Sequence, residues 1–151
     1  MKMKKRTAGK WSARFLFLCY LGVLVYFLFF SERYGRTVAY TELHYNLKPF
    51  REIKRYLVYS ASFSNELFLV NIVGNVAAFI PFGLLLPFTK GESRHPVLMA
   101  LFVTYPLVLT LECIQLFTRV GSFDIDDIIM NCLGSILGAL LYRLLQSRKK
   151  G

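Results

Sequence analysis

Apolar residues in this chain come in long unbroken runs, not in strict alternation or in one-sided stripes. Four runs stand out, at about residues 11–30, 67–88, 97–118 and 125–145. Each approaches the roughly 20 residues that a helix needs to cross a hydrocarbon core. Helices also satisfy their own backbone polar groups in lipid without closing into a barrel. The pattern therefore predicts an all-α, polytopic membrane protein, a bundle of four transmembrane helices. Residues 31–66 form one long loop between the first two. The transmembrane domain is expected over 15–145, with basic tails at 1–14 and 146–151.

Charge adds orientation. The net charge is +10, from 19 Lys and Arg against 9 Asp and Glu. In a soluble protein that excess would suggest nucleic acid, but the chain has no nucleic-acid motif. Its bases sit in the tails, in the short loop TKGESRHP and in the long loop, positions that suit lipid headgroups. Four crossings put both tails and the short loop on one side, with 12 bases against 6 in residues 31–66 and a seventh at Arg119. The side richer in bases is expected to be cytoplasmic, so both termini are expected in the cytoplasm. The start MKMKKRTAGK followed by FLFLCYLGVLVYFLFF has the look of a signal peptide. SERYGRT follows in place of a small-residue cleavage pattern, so an uncleaved first helix is expected.

Cys19, Cys113 and Cys132 follow neither a zinc nor a disulfide spacing. They read as small buried apolar side chains, and no metal or cofactor is expected. In the long loop, LHYNLKPFREIKRYLVYS mixes aromatics, aliphatics and bases. It suits either an ordered loop or a helix lying on the membrane surface. The helix would start near Pro49, with Phe50, Ile53, Tyr56 and Leu57 toward lipid.

Candidate chemistry lies in TLECIQLFTRVGSFDIDDIIMN, residues 110–131, between two apolar runs. Glu112, Gln115 and Arg119 have the spacing i, i+3, i+7, which is one helical face. Asp124, Asp127 and Asn131 repeat that spacing at the start of the fourth run, while Asp126 points elsewhere and is expected to be solvated. Asn71 and Asn75 lie at the start of the second run. Topology puts all three sets at one depth, on the outer side. A carboxylate facing lipid is costly, so these faces should turn into the bundle or a wet cavity. Arg119 is the natural counter-ion for Glu112 or Asp127, and Asp124 and Asp127 suit the N-terminus of the fourth helix. A clasp between helices and a pocket for a ligand both fit. Gly134 with Gly138 and Gly74 with Ala78 allow close helix approach. Pro81 and Pro87 are expected to interrupt the second helix and Pro106 the third.

Three blocks together resemble one family. NIVGNVAAFIPFGLLLPF (71–88), LHYNLKPF (43–50) and ECIQLFTRVGSFDIDDIIMNCLGSILG (112–138) resemble, in order and spacing, the motifs of VanZ-like membrane proteins. The positions that match are Asn75, Pro81, Phe82, Gly83, Glu112, Gln115, Arg119, Asp124, Asp127, Asn131 and Gly134. The resemblance implies a multi-pass protein of the plasma membrane, by that likeness of a Gram-positive bacterium. It also implies a link to glycopeptide resistance, since the family's founding member is linked to low-level teicoplanin resistance.

Teicoplanin differs from vancomycin by a lipid tail, and both bind cell-wall precursors outside the membrane. The expected function is therefore non-enzymatic: binding an outer-leaflet lipid or cell-envelope component and so modulating teicoplanin susceptibility. The alternative is a membrane-embedded enzyme acting on a lipid-linked head group, with Glu112 or Asp127 as acid or base and Arg119 holding a phosphate. Transport is a minor third reading, because four helices without a repeat are few unless the chain oligomerises. Partners are expected to be membrane lipids, with a lipid-linked cell-wall precursor, a lipoglycopeptide and a second copy of the chain as further candidates. His44 and His95 are remote from each other, and Ser122 lacks an elbow motif, so neither a zinc site nor a nucleophile triad is expected.

Overall fold

The apolar runs fold as helices whose small residues let their backbones meet. The computed structural model describes residues 2–30, 42–58, 69–90 and 93–148. Helix α1 spans Lys2–Phe30. A two-residue strand β1, Tyr45–Asn46, precedes the short helix α2, Arg51–Val58. A π turn, Leu69–Val73, runs into α3, Gly74–Lys90. Helix α4, Pro96–Thr118, is followed by β2, Phe123–Asp124, and α5, Ile125–Ser147.

Among the described residues three helical spans are long and apolar enough to cross a membrane: Asn71–Thr89, Pro96–Thr118 and Ile125–Ser147. The apolar stretch of α1, Arg14–Phe27, is shorter. Its opening turns carry Lys2, Lys4, Lys5, Arg6 and Lys10, so only the later part of this helix is apolar.

α3 and α5 form the spine of the bundle and make its most extensive contact. Gly134 lies against the carbonyl of Val76, and Gly138 against the carbonyl of Ile80. From the other side, Gly83 lies against the carbonyl of Ser135. A Cβ at any of the three would collide with backbone, which cannot turn aside as a side-chain tip would. Small residues at these positions therefore set the helix separation. Around this contact pack Phe79, Phe82, Leu86, Val108, Ile128 and Cys132. α4 joins α5 through a buried hydrogen bond from Thr104 Oγ1 to Ser135 Oγ, 2.6 Å. α1 packs on α3 through Leu24, through Phe17 against Phe82, and through the Tyr20 hydroxyl, which donates to the Ala78 carbonyl.

Pro81 and Pro87 do not interrupt the second helix, nor does Pro106 the third; α3 and α4 run through them. Proline removes one amide donor and frees the carbonyl four residues earlier, and a helix packed on two neighbours tolerates that loss. For Pro81 that carbonyl is Ala77, next to the Ala78 carbonyl that Tyr20 caps. The departure from α geometry falls earlier, in the π turn. Asn71 and Asn75 are therefore not successive turns of one α-helix. The expectation of three buried cysteines also fails: Cys132 is buried, Cys113 is half-buried and Cys19 is exposed on α1.

The chain direction alternates, so the start of α1, the end of α3, the start of α4 and the end of α5 share one end of the bundle. Arg14 Nε reaches the Thr89 carbonyl there at 3.4 Å, and the rings of Phe88 and Tyr142 meet edge-on. The α4–α5 turn, β1 and α2 lie at the opposite end.

Candidate functional site

At that opposite end the first turn of α5 holds three other segments at once. β1 and β2 pair in parallel, Tyr45 beside Phe123 and Asn46 beside Asp124. The Phe123 amide donates to the His44 carbonyl at 3.1 Å. Asp124 is the N-cap of α5, and its Oδ1 accepts from the Asp126 amide at 2.8 Å. The same oxygen accepts from Asn46 Nδ2 at 3.0 Å, which ties the cap to the long loop. Asn46 is itself buried, and its Oδ1 takes the Lys48 amide at 3.2 Å. Behind the cap, Glu112 Oε2 accepts from the Asp124 amide at 3.0 Å.

Asp126 holds the second segment. Its side chain is fully buried (0% exposed) and accepts from the amides of Phe50, Glu52 and Ile53, the last two at 2.8 and 3.4 Å. These are donors at the start of α2, which have no partner inside their own helix. Phe50 enters α2 with φ 63°, a left-handed conformation that is uncommon for a bulky residue. The carboxylate across from it fixes that turn. Asp127 holds the third segment, with Asn75 Nδ2 donating to its Oδ1 at 2.6 Å. Asp124, Asp126 and Asp127 thus join α5 to β1, α2 and α3 respectively.

The expected polar faces meet this cluster in part. Glu112, Gln115 and Asn131 are buried, while Asn71, Asn75, Asp124 and Asp127 are half-buried. Asn131 lies one turn deeper than Asp127, and among the described residues no donor reaches its Oδ1. Two expectations need correction. Asp126 is not solvated; it is among the most buried groups in the molecule, because it points away from the Asp124–Asp127 face toward the loop. Arg119 does not extend the Glu112–Gln115 face, because α4 ends at Thr118. Arg119 caps the helix with φ 58°, its amide bonded to the Leu116 carbonyl, and its side chain is exposed.

Asn46 and Asp126 were the residues that sequence reasoning missed. A signal existed: the segment before α2 reads Lys48-Pro49-Phe50, with no Ser, Thr, Asp or Asn to cap the helix. A helix start without a local cap needs an acceptor from elsewhere.

Electrostatics follow the same plan. Burial pushes the Asp124 carboxyl above its ordinary value. The hydrogen bonds from the Asp126 amide and Asn46 oppose that shift, and the charges of Asp126 and Glu52 add to it. With these carboxylates turned inward onto backbone and amide donors, the exposed side chains of Leu43–Val58 are largely cationic and apolar. Lys48, Arg51, Lys54 and Arg55 are exposed, as are Leu43, Tyr45, Leu47, Phe50 and Val58. Arg55 pairs with Glu52 at 2.6 Å. α2 is therefore a helix, and Phe50 is half-exposed as a lipid-facing residue would be, but Ile53 turns partly inward. The side chains of Tyr56 and Leu57 lie outside the described residues. Among the described residues no three His, Cys, Asp or Glu side chains gather as a metal-binding group. His44 and His95 lie at opposite ends of α4, and Ser122 is exposed.

A helical bundle with three spans of membrane length among the described residues, pinned at one end by α5 carboxylates, defines a small helical protein suited to a membrane, with a clasped loop. A family model described as VanZ/LLP1 matches residues 17–146, and the chain belongs to that family. Protein VanZ of Enterococcus faecium is 32% identical over 138 residues, covering 90% of this chain and 76% of that protein. No solved structure matches the chain.

Proposed function

We propose that this chain is a four-crossing plasma-membrane protein of a Gram-positive bacterium, with both termini in the cytoplasm, that lowers susceptibility to glycopeptides and to teicoplanin above all. It does so by binding an anionic outer-leaflet lipid or a lipid-linked cell-envelope component. The observation that carries the reading is the segment Leu43–Val58. Its exposed Lys48, Arg51 and Lys54 stand among exposed Leu47, Phe50 and Val58, and Asp126 and Asp124 hold the segment in place. Apolar side chains seated in the interface with bases at headgroup level suit an anionic lipid or pyrophosphate. The carboxylates serve the clasp: Glu112, Asp124, Asp126 and Asp127 each accept a hydrogen bond from protein. That supports binding over acid–base catalysis.

The test is growth of a susceptible Gram-positive host carrying the gene, with teicoplanin and vancomycin inhibitory concentrations measured side by side. The intact gene should raise the teicoplanin value more than the vancomycin value. A Lys48→Gln/Arg51→Gln/Lys54→Gln variant should lose the rise, and Asp126→Ala should lose it by releasing the segment. Glu112→Gln and Asp127→Asn should weaken it less, because both retain acceptor oxygens. Equal susceptibility in all strains, with the protein present in the membrane, overturns the reading.

A further inference from the structure

The end of the bundle away from the clasp carries the reverse chemistry. Between the segment entering α4 and the last turns of α5 lies a cleft of about 270 Å³. Ser93, Arg94 and Pro96 line one side; Tyr142, Arg143 and Gln146 line the other. Its floor is Tyr142, only 3% exposed, whose ring stands edge-on to Phe88 with centroids 4.7 Å apart. Gln146 Nε2 donates to the Tyr142 hydroxyl at 3.0 Å, which leaves that hydroxyl its own proton to donate.

The lining is donor-rich. It presents two exposed guanidinium groups, the Ser93 hydroxyl, a tyrosine hydroxyl and a side-chain amide, and among the described residues none of the lining is a carboxylate. Such a set suits an anion with several acceptor oxygens, and guanidinium groups pair with phosphate in fork geometry. The volume is far larger than one water's share of about 30 Å³ and slightly below that of drug-sized pockets. It suits a phosphate group with a small substituent.

We propose that this cleft binds a phosphate group between Arg94 and Arg143, as a phosphate ester in solution or as the headgroup of an anionic lipid. Basic pockets between the ends of transmembrane helices take anionic lipid headgroups, and the cleft lies where α4 and α5 end. The inference rests on the cleft alone and not on the role of the Leu43–Val58 segment, so either stands if the other fails.

The experiment uses the full chain purified in detergent. Native mass spectrometry and thermal-shift titration would follow two ligands, phosphatidylglycerol and inorganic phosphate, with phosphatidylcholine as the neutral comparison. Binding of phosphatidylglycerol without inorganic phosphate assigns a lipid site; binding of both assigns a site for the phosphate group itself. In either case Arg94→Gln/Arg143→Gln should weaken binding by roughly thirtyfold, from the loss of two bases. Arg94→Lys/Arg143→Lys should keep most of it. Arg148→Gln, an exposed base outside the cleft lining, should leave it unchanged. If the double variant does not fold, Arg94→Gln alone carries the test, since its side chain is exposed on the loop. Wild-type affinity in the Gln variants, an equal loss in Arg148→Gln, or binding of neither ligand overturns the proposal.

Discussion

The two ends of this bundle solve opposite problems. At one end carboxylates face inward and are engaged: Asp126 takes three loop amides, Asp124 takes Asn46, and Asp127 takes Asn75. At the other end guanidinium groups face outward around an open cleft. The difference shows how charge can be used in a chain whose helices are suited to a membrane. Buried acidic groups are retained where each meets hydrogen-bond donors, and there they hold segments together. Exposed basic groups at a helix end cost little and stay available to anions. By this comparison the acidic end is a structural lock, and the loop it holds is where binding is proposed. The basic end is a surface in its own right.

The largest effect should come from the element that both ends share. Gly134→Leu or Gly138→Leu drives a side chain into the carbonyl of Val76 or Ile80. The loss should be on the order of 3 kcal/mol or more, and both ends should fail together. Size-exclusion profiles of detergent-solubilised protein should show aggregate in place of a single peak. A variant that kept the clasp and lost only the cleft would break the idea of a common spine.

Next in size is Asp126→Ala. It strands three amides at the start of α2, at a cost of about 2–3 kcal/mol, confined to one end. Hydrogen exchange should rise at Phe50, Glu52 and Ile53, while the last turns of α5 keep their protection. Arg94→Gln/Arg143→Gln should do neither. Uniform deprotection along α5 would sink the picture of a local lock.

The helical class and the small-residue contact were legible because each follows from local composition: unbroken apolar runs, and Gly134 and Gly138 one turn apart. The polar cluster was legible as a location, since Glu112, Asp124 and Asp127 had to avoid lipid. Its wiring was not. Asp126 departs from the periodic face, and its partners lie more than 70 residues earlier, in a segment whose pattern offers a helix near Pro49 but says nothing of what it docks against. Arg119 read as part of a face because spacing assumes that the helix continues; a left-handed cap residue ends it one position too soon. The prolines misled for a related reason. A local rule about lost amides gives no weight to the neighbouring helices against which α3 and α4 stay continuous through them.

A smaller effect probes the middle of the molecule. Thr104→Val removes the donor to Ser135 Oγ in a fully buried pair. The cost should be about 1 kcal/mol, as for other interhelical hydrogen bonds in membranes. Because the pair sits between the two ends, exchange at the clasp and phosphate binding at the cleft should each change slightly and together. A change at one end alone would show that the α4–α5 contact belongs to that end.

The smallest effect is a pH dependence at the clasp. Burial raises the Asp124 carboxyl in the folded chain relative to the unfolded one. The folded state therefore binds the proton more readily, and the stability from this group is greatest below the ordinary carboxylate value. It is lost as pH rises through the raised value. Asp124→Asn removes that loss and keeps the cap, because Asn is as good an N-cap as Asp and its carbonyl still accepts from the Asp126 amide. The difference in melting temperature between variant and wild type should therefore shift in the variant's favour from about pH 4 to about pH 7. The same substitution should leave the phosphate affinity of the distant cleft unchanged at both pH values. A shift of opposite sign would mean that the Asn46 and Asp126 hydrogen bonds outweigh burial. The Asp124 charge would then help to hold the loop instead of being a cost that the fold bears.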